Sequence, residues 1–390
     1  MALNNNQVAT VINSAVAQST GNAIANLDLS GIVDAGNDVT IIGSKATFTK
    51  ALLNVLIRNW FTDTTYRSQY KDPFFVDSEE FGAIVQSLHM EYPEAETSHA
   101  WNDFAPNSGT RKTVGQYDVY VPVIHSQLFG KTVSWEIPVS ITDEQWDTAF
   151  HDESELSSFI NYIYMMVDNA IVMHLEEMDG INRNNFIAEK IAYAGGMGAT
   201  GVHVINLIQL YKDETGSTIT TPQAFMKDEG AVRWMSSTLS LYSDYMKKMS
   251  KNFNTAQYDR FTPTERQVML LNSNIDKKIR EVALANSFNP QYLDLPNYDT
   301  VPYWQSSSSY DFENVTKINV KTATGETVEK SGIIAILVDK WAIMHTIKSR
   351  RVAVKYFEPE ALTTTFNQFR DQYSNDLTQN GIIFTLETIS

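Results

Sequence analysis

The sequence of 390 residues contains no cysteine, which excludes disulfide bonds, thiolate metal sites and cysteine nucleophiles together. Basic residues are also scarce: 30 Lys and Arg stand against 46 Asp and Glu, and the formal net charge is −16. Proteins that bind nucleic acid tightly are normally basic, at least locally. The charge balance therefore argues against a protein whose main function is to bind DNA tightly.

Long apolar runs and targeting segments are missing as well. No uninterrupted apolar stretch is long enough to cross a bilayer. Residues 1–20 have neither a basic start nor an apolar core, so we expect no signal peptide. With 43% hydrophobic residues the chain can build a sizeable core, and we expect a soluble protein of two or three domains without membrane contact.

Motifs that carry chemistry give little support for an enzyme. Residues 196–201 match G-x-G-x-x-G, but a dinucleotide loop needs a buried strand before it, and here a long helical pattern precedes it. We interpret this stretch as a helix-to-strand connection. No nucleophile elbow and no P-loop is present. The sequence predicts no catalytic residue, no cofactor site and no metal site, and an α/β enzyme with an unrecognised site remains an alternative.

One histidine lies in an acidic cluster that resembles a metal site. His174 is followed by Glu176, Glu177 and Asp179, but these positions spread around a helix axis and no second histidine lies four residues away. We therefore predict a solvated helix face. The remaining histidines are isolated in the sequence, at positions His89, His99, His125, His151, His203 and His345.

The chain is organised around one long helical pattern at residues 152–194. Asp152 followed by Glu155 is typical of a capping box, apolar residues then recur at helical spacing, and Gly195 supplies the end. Charges such as Asp168 exclude a membrane span, and the broad apolar pattern excludes a narrow coiled-coil stripe. The remaining interpretation is a long structural helix that lies across a sheet.

Before this helix, two alternating segments predict a long projecting β-hairpin, formed by residues 117–123 and 131–137. Aromatic residues on a segment without a partner helix suggest contact with another subunit. The alternative is a surface loop packed on its own domain. The residues predicted to make intersubunit contacts are Trp101, Phe104, Tyr117, Tyr120, Phe129 and Trp135.

After the long helix the pattern predicts a second long helix at 225–249, and then an α/β unit. The strongest buried strand is 333–338, and a further strand lies at 381–386. Basic clusters at 247–251 and 348–351 could meet phosphate or an acidic patch on a neighbouring subunit. We favour the neighbour because the whole chain is so acidic.

The order of these parts resembles the Hong Kong 97-type major capsid proteins of tailed phages, an α+β fold. Short segments carry the resemblance to those of small short-tailed phages of Gram-positive bacteria: SFINYIY at 158–164, ID at 275–276, VA at 282–283, ANSFN at 285–289 and AILVDKW at 335–341. An appended immunoglobulin-like domain would need about 100 further residues and is not expected. No motif identifies a covalent cross-link.

The resemblance implies a division of the chain into named parts. These are an N-terminal arm at 1–60, an extended hairpin or E-loop at 91–136, a peripheral domain at 61–90, 137–261 and 349–390 with the long helix as its spine, and an axial domain at 262–348.

The resemblance also implies a function and partners. Hexamers and pentamers of the chain would form an icosahedral head that encloses double-stranded DNA without specific binding, assembled in the host cytoplasm and found in the virion. Scaffold, portal and head-decoration proteins would be further partners. An encapsulin-type shell that holds protein cargo is the alternative with the same fold.

Overall fold

The computed structural model describes residues 85–92, 121, 123–145, 153–196, 198–286, 298–305, 309–323 and 325–387. These residues form a mixed helix and sheet structure. The strands are β1 (Val85–Met90), β2 (Ile124–Phe129), β3 (Val133–Thr142), β4 (Val204–Asn206), β5 (Gln267–Asn272), β6 (Tyr298–Val301), β7 (Ile318–Lys321), β8 (Thr327–Lys330), β9 (Ile333–Asp339), β10 (Ile343–Phe357), β11 (Leu362–Asn375) and β12 (Gly381–Thr385). The helices are α1 (Glu153–Gly195), α2 (Leu207–Thr215), α3 (Pro222–Lys227), α4 (Glu229–Met246), α5 (Ser273–Asn286) and α6 (Phe312–Val315).

The long helix α1 has 43 residues, as its periodicity predicts, and it is about 65 Å long at 1.5 Å per residue. Its first half buries one stripe, which includes Ile163, Val167 and Ile171. Its last third is buried on nearly every side, with Phe186 and Lys190 fully enclosed. The helix therefore begins as an amphipathic helix on one sheet and ends as a core helix on another.

The first of these sheets is antiparallel, in the order β10-β11-β3. Its strands β10 and β11 have 15 and 14 residues, so they are much longer than typical strands, and a bulge interrupts their register between Ile347 and Ser349. One face of the sheet packs on the first half of α1, where Trp135 stacks on Phe369 and contacts His174 of the helix.

The second sheet has five strands in the order β4-β12-β9-β5-β6, and the central strand β9 is buried at every position. Ile336 and Val338 face a cluster that includes Phe186 of α1, while Leu337 belongs to a cluster built by helices α2 to α5. Helices therefore cover both faces, which explains why the strand is a continuous apolar run, as predicted from residues 333–338.

Strands β1 and β2 pair in antiparallel register and form a two-stranded ribbon, and β7 and β8 form a second antiparallel pair. The described residues show one part of the predicted hairpin. Residues 133–137 belong to β3, which pairs with β11. Alternation identifies a strand and its faces, but it does not identify the partner strand. Residues 117–120 lie outside the described residues.

The predicted single helix at 225–249 is two helices, α3 and α4, separated at Asp228. This residue has extended backbone angles, and its carboxylate accepts a hydrogen bond from the backbone N–H of Ala231 at 2.7 Å. An Asp in this position caps a new helix more favourably than it continues an old one. The apolar stripe continues across the break, which is why the pattern alone suggested one helix.

The C-terminal strand β12 lies between β4 and β9 in the five-stranded sheet. That sheet therefore combines strands from two predicted parts of the chain. Strands β5, β6 and β9 come from the predicted axial domain, 262–348, and β4 and β12 come from segments predicted as peripheral domain. The N-terminal arm at 1–60 lies outside the described residues.

Candidate interaction surfaces

The six predicted contact residues divide into two groups. Trp101, Phe104, Tyr117 and Tyr120 lie outside the described residues. Phe129 ends β2, and its carbonyl accepts a hydrogen bond from the side-chain amide of Gln372 at 2.8 Å. Trp135 lies in β3, half-buried against its own chain, and its indole N–H donates to Asp371 at 2.8 Å. A role for these residues between subunits stays a prediction.

The ribbon β1–β2 has one face turned to solvent that is mainly apolar. Leu88, Met90, Ile124 and Leu128 share this face by strand alternation, and they are 61%, 58%, 59% and 61% exposed. Isolated exposed apolar residues are ordinary, but four on one face of a two-stranded ribbon form a contiguous patch. Such a patch is typical of a surface that another protein covers.

The opposite face of the ribbon packs on the body of the molecule. His89 and His125 are direct cross-strand partners, and the ring of Tyr258 stacks on both, with centroids 4.2 and 5.0 Å away. The Ser87 hydroxyl donates to the carboxylate of Asp376 at 2.9 Å. These contacts fix how the ribbon leaves the body.

Charge surrounds this attachment. The pKa of His89 is lowered, mainly because the ring is partly buried and secondly because the Arg260 guanidinium is nearby. His125 contacts the carboxylate of Glu91 at 2.7 Å, but that contact is internal to the ribbon. A proton on His89 therefore works against the attachment, because it adds positive charge to a partly buried ring near Arg260.

Exposed apolar residues also follow the outward side of two helices. On α1 they recur every eight residues, at Met165, Met173 and Ile181. On α4 and just beyond it, Leu241, Tyr245 and Met249 recur every four residues, so they lie on one side of that helix. Both stripes add to the apolar surface that a single chain leaves uncovered.

A buried polar layer joins α1 to the three-stranded sheet. The ring of His345 in β10 lies 3.1 Å from the carboxylate of Asp179 in α1 and stacks on Tyr373. The Asn182 amide donates to the Met344 carbonyl at 3.3 Å. Polar contacts of this kind need specific geometry, so they fix the register between helix and sheet.

This layer corrects one prediction. His174 and Asp179 do not lie on a solvated helix face: His174 packs on Trp135, and Asp179 is buried beside His345. Glu177 is exposed as predicted. Sequence spacing could not reveal that a distant strand covers this side of the helix.

A second buried group lies where α1 meets the loops near 200–203 and 252–255. The Lys190 ammonium is fully buried and donates to the Phe253 carbonyl at 3.2 Å. Burial lowers its pKa to about 7, and the carboxylate of Asp376 opposes this shift. Burial, together with Lys190, lowers the pKa of His203 to about 4.

The sequence motifs that resemble functional sites lie in structural contexts that do not form such sites among the described residues. Residues 196–201 connect the end of α1 to β4, as predicted for a helix-to-strand connection. Among the described side chains, no group of three His, Asp or Glu is arranged to hold a metal ion. None of the helices in the described part of the chain combines the length and hydrophobicity that a membrane span requires.

The basic clusters differ in their pairing. In the first, Lys247 lies 2.7 Å from Asp244, and Lys251 lies 3.4 Å from Asp259, so acidic residues of the same chain neutralise both. In the second, Arg350 lies over the ring of Phe369 on one face of the sheet, and Arg351 is exposed on the other.

Sequence reasoning missed the ribbon attachment and the apolar ribbon face. Residues 85–90 and 124–129 do not alternate strictly, and only the pairing of β1 with β2 brings their apolar positions together on one side. Nothing in the sequence connects His89 to Tyr258, which lies about 170 residues further along the chain.

Comparison with known proteins identifies the family. A family model described as Phi29-like phage major capsid protein matches residues 8–385. A chain in the capsid structure of Staphylococcus phage Andhra has a TM-score of 0.52 and 8% identity, and the match covers 83% of this chain and 84% of that one. A chain in the structure of the head fiber and inner core protein gp22 of bacteriophage P68 has a TM-score of 0.49 and 10% identity, with coverage of 80% and 83%. A search of curated proteins finds no match.

At such low identity, the likeness to the Andhra capsid chain shows a shared fold and nothing more. The family match carries the assignment, because it extends over almost the whole chain. It agrees with the exposed apolar surfaces that the single chain leaves uncovered. The chain belongs to the Phi29-like phage major capsid protein family, and it is a capsid-forming protein of the virion.

Proposed function

We propose that this chain is the principal subunit of the icosahedral head of a tailed phage. Hexamers and pentamers of it close into a shell around double-stranded DNA. The net charge of −16 supports a shell that encloses DNA without binding it tightly. Shell assembly takes place in the host cytoplasm, with scaffold, portal and head-decoration proteins as further partners.

The fold supports a Hong Kong 97-type division of the chain. We assign α1 as the spine helix, and α1 with the three-stranded sheet as the peripheral domain. The ribbon β1–β2 is the stem of the E-loop, which moves the start of that element from residue 91 to about 85. The five-stranded sheet is the axial domain, so β12 joins the axial domain in place of the peripheral one.

The single observation that carries the proposal is the solvent-facing apolar side of the ribbon. Leu88, Met90, Ile124 and Leu128 are exposed together, in a family whose members form shells. Burying such a face on another subunit contributes about 25 cal/mol per Å² of apolar surface. We propose that these residues, with Trp101, Phe104, Tyr117, Tyr120, Phe129 and Trp135, make contacts between subunits.

The experiment is negative-stain microscopy with light scattering over a concentration series of the purified protein, with and without scaffold. We expect closed shells or capsomer rings from the wild-type chain. A double variant, Leu88→Gln with Ile124→Gln, should need at least about tenfold more protein to assemble, since it removes much of the apolar contact area.

Gln86→Ser is the matched control, because Gln86 lies on the same ribbon face and is already polar. It should assemble like the wild type. A wild-type chain that stays monomeric at every concentration, with scaffold present, would refute the assembly proposal. Shells that take up protein cargo and exclude DNA during infection would favour the encapsulin-type alternative.

A further inference from the structure

The open face of the three-stranded sheet, opposite α1, carries positive charge. Arg370 and Arg351 share this face with Lys355, according to the strand alternation and the register of β10 with β11. Each of the three is exposed. The acidic residue on the same face is Glu136, and Gln368 bridges it to Arg351 through hydrogen bonds of 3.1 and 2.6 Å.

These three cations have no acidic partner among the described residues: Arg351 donates to Gln368, and Lys355 lies over the ring of Phe357. Two of them, Arg351 and Arg370, line a shallow cleft of about 530 Å³, which also includes Ser134 and Ser349. Unpaired arginines at a concave surface are typical of interface centres.

The end of the same sheet carries the opposite charge. The turn between β10 and β11 contains Glu358 and Glu360, both exposed, and Glu144 follows the end of β3. Asp143 accepts a hydrogen bond from the Tyr356 hydroxyl at 3.0 Å. The pKa of Tyr356 is raised, first by that bond, and the charge of Glu358 adds to it. Negative charge is therefore concentrated at this tip.

Within one chain the acidic tip cannot reach Arg351 and Arg370 of the cleft. Glu358 lies seven positions after Arg351 along an extended strand, which corresponds to about 23 Å. A rigid paired sheet does not fold back over that distance. The acidic tip projects from the end of the sheet, and the basic cleft lies on its flat face.

We propose that the acidic tip of one subunit, Glu358 and Glu360, docks on the basic sheet face of the next subunit, Arg351 and Arg370. Two different patches make this contact, so it is heterologous, and a heterologous contact closes into a ring when its rotation allows. The proposal rests on the proposed shell function and adds a specific contact to it.

Charge favours a second copy over DNA as the occupant of the cleft. The chain carries 16 more negative than positive charges, so the phosphate backbone meets overall repulsion. A neighbouring copy brings a compact acidic tip to the cleft, and complementary patches of this kind set orientation and association rate.

The test uses charge reversal on the full chain, with assembly followed by light scattering and microscopy. The tip variant is Glu358→Arg with Glu360→Arg, and the face variant is Arg351→Glu with Arg370→Glu. Each should raise the protein concentration needed for assembly by about tenfold or more, because like charges would then meet. Combining all four substitutions in one chain should restore assembly.

The control is Lys227→Glu, an exposed cation on α3 that should leave assembly unchanged. Circular dichroism checks that each variant folds. If each variant by itself assembles at the same protein concentration as the wild type, the contact is refuted while the shell function stands. If only the face variant fails to assemble, and the chain with all four substitutions does not assemble either, the cleft binds another partner, such as DNA, and the proposal is wrong.

Discussion

At Gly201 the backbone and a neighbouring loop leave no room for a side chain. The residue has a φ of +94°, and a Cβ atom there would lie 2.4 Å from the Asn252 carbonyl oxygen. The next residue, Val202, donates its N–H to that same carbonyl at 2.7 Å, which holds the two segments together. The requirement for glycine here comes from both conformation and space.

Gly201→Ala should therefore destabilise the subunit by roughly 3 kcal/mol, the sum of backbone strain and a steric clash. The matched control is Gly198→Ala, where φ is +87° but no atom lies within 4 Å of the new methyl group. It should cost about 1 kcal/mol, from the backbone alone. Urea unfolding of unassembled subunits measures both, and equal losses would show that the approach of Asn252 has no energetic weight.

At the scale of one element, the ribbon β1–β2 is attached to the body by stacked rings, and the pKa of one of them, His89, is shifted. His89 stacks on Tyr258, and its pKa is lowered by burial and by Arg260, whereas the same ring on a released ribbon would have an ordinary pKa. Glu91 and Asp259 act in the opposite direction but more weakly. Attachment is thus fully stable above about pH 6.5 and is weakened as the pH falls below it.

We expect hydrogen exchange at the amides of β1 and β2 to accelerate between pH 7 and pH 5 by severalfold beyond the intrinsic pH effect. His89→Gln should remove this extra dependence, because its amide side chain does not titrate. Tyr258→Leu serves as the comparison, since it should loosen the ribbon about equally at both pH values. Identical corrected rates at pH 5 and pH 7 in the wild type would contradict the titrating attachment.

At the scale of the whole molecule, the sequence predicts what depends on local pattern. The helical repeat around Ile163 and Ile171 predicts α1, and the apolar run at 333–338 predicts the central strand. Partners of strands depend on distant contacts, such as Phe369 against Trp135, which no periodicity records. The candidate surfaces are harder still, because exposure of Leu88 is known only when the pairing and the buried face are known.

The same dependence on distant contacts governs how the stability of the folded chain varies with pH. Lys190 lies in α1 between the Phe253 loop and Asp376, so it joins segments that are far apart in sequence. Its pKa is about 7 when folded and about 10.4 in an unfolded chain, so the unfolded state binds more protons between these values. Stability therefore rises with pH in this window, and below pH 7 this group adds no further slope.

Lys190→Met should remove that rise, which for a fully buried amine is on the order of 4 kcal/mol between pH 7 and pH 10. His203→Gln is the control, because His203 titrates in a different window: its pKa falls to about 4, so its contribution is present above about pH 6.5 and is lost as the pH falls towards 4. Urea unfolding of unassembled subunits from pH 4 to pH 10 measures both slopes. If Lys190→Met keeps the wild-type slope above pH 7, the buried ammonium does not set the pH dependence.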